Sequence, residues 1–214
     1  MKITKYGHCC LLIEEKGVHV LTDPGSYTTM QNDVKNIDII LITHEHGDHL
    51  HIESVKKILE NNPEATIVTN SAVDKLLREA EIPDAVILED GQSDEIGGLK
   101  ISGYGNVHAE IFHELPRVQN TGYMIGERLY YPGDAFHNPR VPVDVLAWPA
   151  AGPWVKISDA LDFALDVKPK VCFPVHDGAL NPNGFGLLKR LPPQILEKHG
   201  IKFAFLETGE ETEL

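Results

Sequence analysis

Cysteine is scarce in this chain. Its 214 residues hold three, Cys9, Cys10 and Cys172. An odd count with two members adjacent makes no disulfide framework. Neighbouring residues of a strand point to opposite faces, so Cys9 and Cys10 cannot both reach one metal ion from a regular strand. The three thiols therefore read as small packing residues. Positive charge is short as well: 19 Lys and Arg stand against 32 Asp and Glu, a formal net charge of -13. Such a surface repels a phosphate backbone, which argues against a nucleic-acid partner, and the Lys56-Lys57 pair reads as a solvated helix face. No apolar run nears the ~20 residues of a membrane span. The opening Met1-Lys2-Ile3-Thr4-Lys5-Tyr6 alternates like a strand and lacks the apolar centre of a signal peptide. The expectation is a cytoplasmic protein without a membrane partner, acting on a small molecule. Self-association through exposed helices stays open.

What is present is ordinary globular material, 42% hydrophobic and 24% charged, in a length that suits one domain over residues 1–214. Strands are predicted at Ile3–Tyr6, Cys10–Glu14 and Val18–Thr22, with Lys16-Gly17 as a turn. Ile37–Thr43 is a continuous apolar run that suits a strand buried on both faces. Helices follow at Glu53–Asn61 and from Ser71 to Glu81, with a strand at Ala65–Thr69 between them. A strand-rich stretch comes next: Ala85–Leu88, Leu99–Tyr104, Thr121–Ile125 and Arg128–Tyr131, the last two joined by the hairpin signal Gly126-Glu127. Then come a strand at Val143–Ala147, a helix at Ser158–Val167 with Ser158 as N-cap, and a strand at Lys170–Val175. A helical region at Gly186–His199 should break or restart at Pro192-Pro193, and Ile201–Leu206 closes as a strand. Two similar strand-rich halves favour two mixed sheets packed face to face with helices outside.

The densest chemistry lies in His44-Glu45-His46-Gly47-Asp48-His49, directly after the buried strand and before a helix. A strand end is a rigid place from which a loop can aim several ligands at one point. Imidazoles and carboxylates without sulfur suit zinc, and also manganese, iron or nickel. His44 and His46 lie two apart and share one side of an extended backbone, whereas Asp48 and His49 turn elsewhere, toward a second ion. Unpaired, such a cluster at the mouth of a buried strand would cost several kcal/mol.

This motif resembles the His-x-His-x-Asp-His signature of the metallo-β-lactamase fold superfamily, and the resemblance covers most of the chain. Thr22-Asp23-Pro24-Gly25 is similar to the family's early aspartate, His108 to its isolated third histidine, Gly133-Asp134 to its bridging aspartate, and Pro174-Val175-His176 to its last histidine. The resemblance implies an αββα sandwich of two mixed sheets with flanking helices. It implies His44, His46 and His108 on one divalent ion, Asp48, His49 and His176 on the other, and Asp134 bridging. His113 competes with His108 for the third histidine position. Asp23 is expected to orient a ligand histidine. His8 is a candidate for a supporting role near the site, and His137 either lines the pocket or belongs to a loop. His19, His51 and His199 read as solvated or structural.

A pair of ions of this kind is expected to supply hydroxide at neutral pH, with Asp48 orienting it as the catalytic carboxylate. The expected activity is hydrolysis of a small, anionic ester, lactone or phosphoester. The alternatives are a phosphodiesterase or nuclease acting on nucleotides and a non-catalytic metal sensor. Trp148-Pro149-Ala150-Ala151-Gly152-Pro153-Trp154 resembles the site loop of a compact branch that includes ascorbate-phosphate lactonase-like proteins. Its two tryptophans either contact substrate or pack.

Overall fold

The computed structural model describes all residues, Met1–Leu214. Its first sheet holds β1 (Lys2–Gly7), β2 (Cys10–Glu15), β3 (Val18–Thr22), β4 (Ile39–Leu41), β5 (Thr66–Thr69) and β6 (Val86–Ile87). The second holds β7 (Ser93–Ile96), β8 (Leu99–Tyr104), β9 (Gly122–Ile125), β10 (Leu129–Tyr131), β11 (Val145–Pro149), β12 (Val171–Val175) and β13 (Lys202–Phe203). A last strand, β14 (Glu211–Glu213), returns to the first sheet against β1, so each sheet has seven strands. Each is mixed: β1–β2–β3 are antiparallel and β3–β4–β5–β6 parallel, while β7–β8–β9–β10 are antiparallel and β10–β11–β12–β13 parallel. Helices α1 (Ile52–Asn61) and α2 (Ser71–Glu79) cover one sheet; α3 (Ile157–Val167) and α4 (Pro182–Leu196) cover the other. No helix is long and apolar enough to cross a membrane.

The apolar runs follow from this layering. In β4, Ile39 and Leu41 point into the core between the sheets, while Ile40, and Ile42 just beyond the strand, pack outward against Val55, Ile58, Val73 and Leu77 of the helices. In β11, Val145 and Ala147 face inward, and Leu146 and Trp148 face Ala160, Phe163 and Ala164 of α3. A strand covered on both faces has no polar side to show, hence the loss of alternation. Each such side chain contributes about 1.5–3 kcal/mol through burial. Cys9 lies in the inner core and Cys10 in the outer one, as strand geometry requires. Burial pushes the Cys9 thiol up to about 11 and Cys172 up to about 12, so both stay protonated.

The predicted turns form as read. Lys16 and Gly17 (φ 52° and 78°) and Gly126 and Glu127 (φ 62° and 59°) pair left-handed residues, the geometry that suits the twist of a tight hairpin. Several boundaries differ. Ile37–Thr43 is strand only over Ile39–Leu41, because Asn62 accepts from the Ile37 amide and Asp23 from the Thr43 amide. Ser158 is not the cap of α3: Lys156 holds that place, and the Ser158 hydroxyl donates to Asp159. Helix α4 starts four residues earlier than read, where Asn181 accepts from the Gly184 amide and Pro182 occupies the first turn. It runs unbroken through Pro192-Pro193, since the buried stripe Leu188, Pro192 and Leu196 continues at helical spacing across them. The Ile201–Leu206 strand shortens to β13. Strands β7 and β14 carry Ser-Asp-Glu-Ile and Glu-Thr-Glu and offered no hydrophobic signal.

One close approach holds the motif loop against the core. A side chain at Gly25 would lie 1.8 Å from the Asp48 carbonyl oxygen, deep inside backbone. The Gly25→Ala variant is therefore expected to lose about 1–3 kcal/mol or more of stability, read as a shift in the denaturant midpoint. A midpoint equal to that of the unsubstituted protein would contradict this packing.

Candidate metal centre

Strand ends bring the site together. Asp23 follows β3 and is fully buried, in the left-handed region at φ 34°, a conformation that a non-glycine residue keeps only when its surroundings impose it. Its carboxylate accepts from the Thr43 amide at 2.8 Å, the Thr43 hydroxyl at 2.7 Å and the Tyr131 hydroxyl at 2.5 Å, and lies 2.7 Å from His49 Nδ1. Thr43 Oγ1, its proton given to Asp23, is 3.0 Å from His44 Nδ1. His108 Nδ1 is 2.6 Å from the Ala109 carbonyl. A carbonyl can only accept, so His108 Nδ1 is the protonated nitrogen. In His44, His49 and His108 alike, Nδ1 is engaged and Nε2 faces the centre, the arrangement by which outer partners fix an imidazole for a metal.

Two donor groups meet there. One ligand atom from each of His44, His46, His108 and Asp134 lies within 4.8 Å of the others, and the same holds for His8, Cys9, His49 and His176. Asp134 stands between the groups: Oδ1 is 3.2 Å from His49 Nε2, and Oδ2 is 2.9 Å from His176 Nε2 and 3.3 Å from His108 Nε2. Asp48 Oδ2 lies 3.5 Å from His176 Nε2. Of seven buried side-chain atoms without a hydrogen-bond partner, five belong to this region: His49 Nε2, His108 Nε2, Asp134 Oδ1 and both ring nitrogens of His176; the other two are Gln31 Oε1 and Asn32 Oδ1. An orphaned buried polar atom costs about 1–3 kcal/mol, and four of these, His49 Nε2, His108 Nε2, His176 Nε2 and Asp134 Oδ1, face one another across the centre. Nitrogen and oxygen donors left unpaired around a common point fit divalent ions.

The electrostatics agree with a site built for positive charge. Burial works to raise the Asp134 carboxyl, but His49, His108 and His176 more than offset it and hold it well below its usual range. Burial works against a charged His49, yet the Asp134 and Asp23 carboxylates raise it well above an ordinary imidazole. Burial, then His49, depresses His44.

The seven predicted residues, His44, His46, Asp48, His49, His108, Asp134 and His176, all lie around this centre. His113 is exposed beside Glu114 and takes no part. His8 is adjacent: its Nδ1 accepts from the Gly178 amide at 3.0 Å, so Nε2 carries the proton and donates to Asp48 Oδ2 at 3.0 Å. It thus orients Asp48 and has no free nitrogen for an ion. His137 lines a separate cavity with Asp90 and Asn106. Trp148 is core, its indole donating to the Ala160 carbonyl, whereas Trp154 donates to Asp134 Oδ2 at 3.0 Å. His51 contacts Ser54 at the start of α1, His19 contacts Asp38, and His199 is exposed before the left-handed Gly200. Sequence reasoning missed Thr43, Tyr131 and Asn120. Asn120 accepts from the Asp134 amide and donates to the Pro132 carbonyl. Tyr131 lay in the predicted strand Arg128–Tyr131 with nothing to mark its hydroxyl; Asn120 had no motif to mark it.

Above the centre opens a cavity of about 390 Å³, with His46, Asp48, His108, Asp134 and His176 at its base and Tyr27, Ile111, Pro153 and Trp154 among its walls. Residues 2–176 match the family model described as Beta-lactamase superfamily domain. The chain belongs to that family. It is 34% identical over 196 residues to the Mycobacterium tuberculosis protein Rv0786c, covering 87% of this chain and 89% of that one. It is 29% identical over 200 residues to a UPF0173 metal-dependent hydrolase of Carboxydothermus hydrogenoformans, covering 82% and 84%. Its fold is shared by Igni18, a metallo hydrolase of Ignicoccus hospitalis, with TM-score 0.75, 21% identity and coverage of 100% and 98%. The expected two-sheet architecture holds, and with the family comes the class, a metal-dependent hydrolase.

Asp23→Asn keeps the volume but weakens the acceptor that orients His49. The expected result is a 10–100-fold loss of zinc affinity, measured by chelator competition; unchanged affinity would remove Asp23 from the centre's support.

Proposed function

We propose that this hydrolase uses two divalent ions, zinc foremost, to cleave a compact ester or lactone. The observation that carries the reading is the convergence of unpaired imidazole and carboxylate atoms on Asp134 beneath an apolar-walled cavity. In this reading His44, His46 and His108 would hold one ion and Asp48, His49 and His176 the other, with the Asp134 carboxylate facing both sets. Bound there, the ions supply Lewis acidity and a water acidified toward a pKa of ~7.

The chain's own residues do the rest. Asp48, fixed by His8, has Oδ1 free to hold the proton of the attacking water. Asp23 and the Ala109 carbonyl keep His49 and His108 in the tautomer that leaves Nε2 unprotonated for an ion. Tyr27, Ile111, Pro153 and Trp154 take the apolar part of the substrate and exclude bulk water. No lysine or arginine lines this cavity, so a phosphate group would find no guanidinium or ammonium partner. That ranks uncharged lactones and esters above the phosphoesters and anionic substrates expected from the sequence.

Metal analysis of purified protein is expected to give two ions per chain. A screen over lactones, carboxylic esters, phosphomonoesters and phosphodiesters is expected to give turnover with the first two classes. His46→Ala and Asp134→Ala should reduce turnover at least ~10³-fold, the scale on which catalytic groups act, and lower bound metal. Fewer than one ion per chain after full loading, or undiminished turnover in metal-free protein, would overturn the reading.

A second measurement follows from the orphaned atoms. Chelator treatment is expected to lower the melting temperature, and stoichiometric zinc to restore it, because ligands that bind only the folded state stabilise it. Equal melting temperatures with and without zinc would count against bound ions.

A further inference from the structure

Asp134 is crowded by histidines and has one neighbour of another kind. Its backbone amide is held by Asn120. Its carboxylate faces His44, His49, His108 and His176 at 2.9–3.8 Å. All four are imidazoles, so none of them differs in kind as a partner for the carboxylate. The indole N–H of Trp154 donates to Oδ2 at 3.0 Å and so marks one of the two oxygens. Indole nitrogen is a donor only, so it can hold a carboxylate but cannot compete with it for an ion.

The indole is itself fixed. Its ring packs on Phe136 at 5.0 Å, which packs on Phe163 of α3 at 5.3 Å, and it stands edge-on to His108 and His176 at 5.8 Å each. Gly152, at φ 143°, closes the loop over it: a side chain there would lie 3.1 Å from both Trp154 Nε1 and His176 Cε1. The second tryptophan of the same loop bonds the Ala160 carbonyl and stays in the core. The loop thus has an anchor at Trp148 and a working end at Trp154.

We propose that Trp154 is a positioning residue for the Asp134 carboxylate, its indole N–H occupying one lone pair of Oδ2 so that Oδ1 and the remaining lone pair of Oδ2 are aimed at the two donor groups. This rests on the dinuclear reading above. The indole acts through Asp134 and sets how firmly the carboxylate can join the two groups.

The test uses the full chain, with cobalt(II) as the probe. Two replacements remove the donor: Trp154→Phe, and benzothienylalanine introduced at position 154, which keeps the bicyclic ring and lacks the N–H. Cobalt affinity from chelator competition is expected to fall 10–100-fold in both, with an altered visible cobalt spectrum and an unchanged melting temperature of the metal-free protein. Wild-type affinity and spectrum in both variants would overturn the proposal. So would a benzothienylalanine protein that binds cobalt normally while Trp154→Phe loses metal-free stability, since the ring would then act by packing alone. Failure of the unsubstituted protein to bind cobalt would defeat the metal reading itself, and this proposal with it.

Discussion

The carboxylate of Asp23 never meets solvent, and four groups from three parts of the chain close on it. The Thr43 amide and hydroxyl come from the end of β4, His49 from the motif loop, and the Tyr131 hydroxyl crosses from the other sheet. A buried charge of this kind is tolerated only when its hydrogen bonds are complete. Satisfying it fixes where the β4 strand stops, which way His49 turns and how the two sheets register at their shared end. The left-handed backbone at Asp23 is one of three such strained points at this end, with His8 and His176. Local conformational energy is spent here, and the layered core of Ile39, Leu41, Tyr123 and Phe173 behind it holds the strain in place.

Much of this arrangement could be read from residue order, for identifiable reasons. The two-sheet architecture followed from two strand-rich halves of similar make-up, and the buried strand before the motif from an apolar run without alternation. The motif from His44 to His49 was legible because unpaired imidazoles and carboxylates rarely gather after a buried strand without a common task. The turns at Lys16-Gly17 and Gly126-Glu127 were legible because positive φ leaves a compositional trace. Other features left no such trace. Strand β14 is acidic and pairs with β1 more than two hundred residues away along the chain, so its identity lies in its partner. Helix α4 passes through two prolines because tertiary burial of its stripe outweighs a local rule. Tyr131 read only as a strand residue: its ring is core, and its hydroxyl alone belongs to the centre.

The two tryptophans of one short loop show how a single sequence pattern divides its labour. Trp148, on β11, buries its ring against α3 and satisfies its N–H on the Ala160 carbonyl. Trp154, six residues on, has left the strand and meets a carboxylate. Composition treats them alike; the end of the strand between them makes the difference. His108 and His113 divide in the same way, one held by the Ala109 carbonyl and the other in solvent.

The rims of the two sheets carry a separate message. Of the four outermost strands, β6 and β13 are two residues long, and β7 and β14 are acidic. Open strand edges invite a neighbouring chain to add itself, and short or charged edges refuse it. With a net charge of -13, two molecules approaching rim to rim meet repulsion and little backbone to pair with. Growth by strand addition into ordered β-aggregates is thereby disfavoured at both sheets.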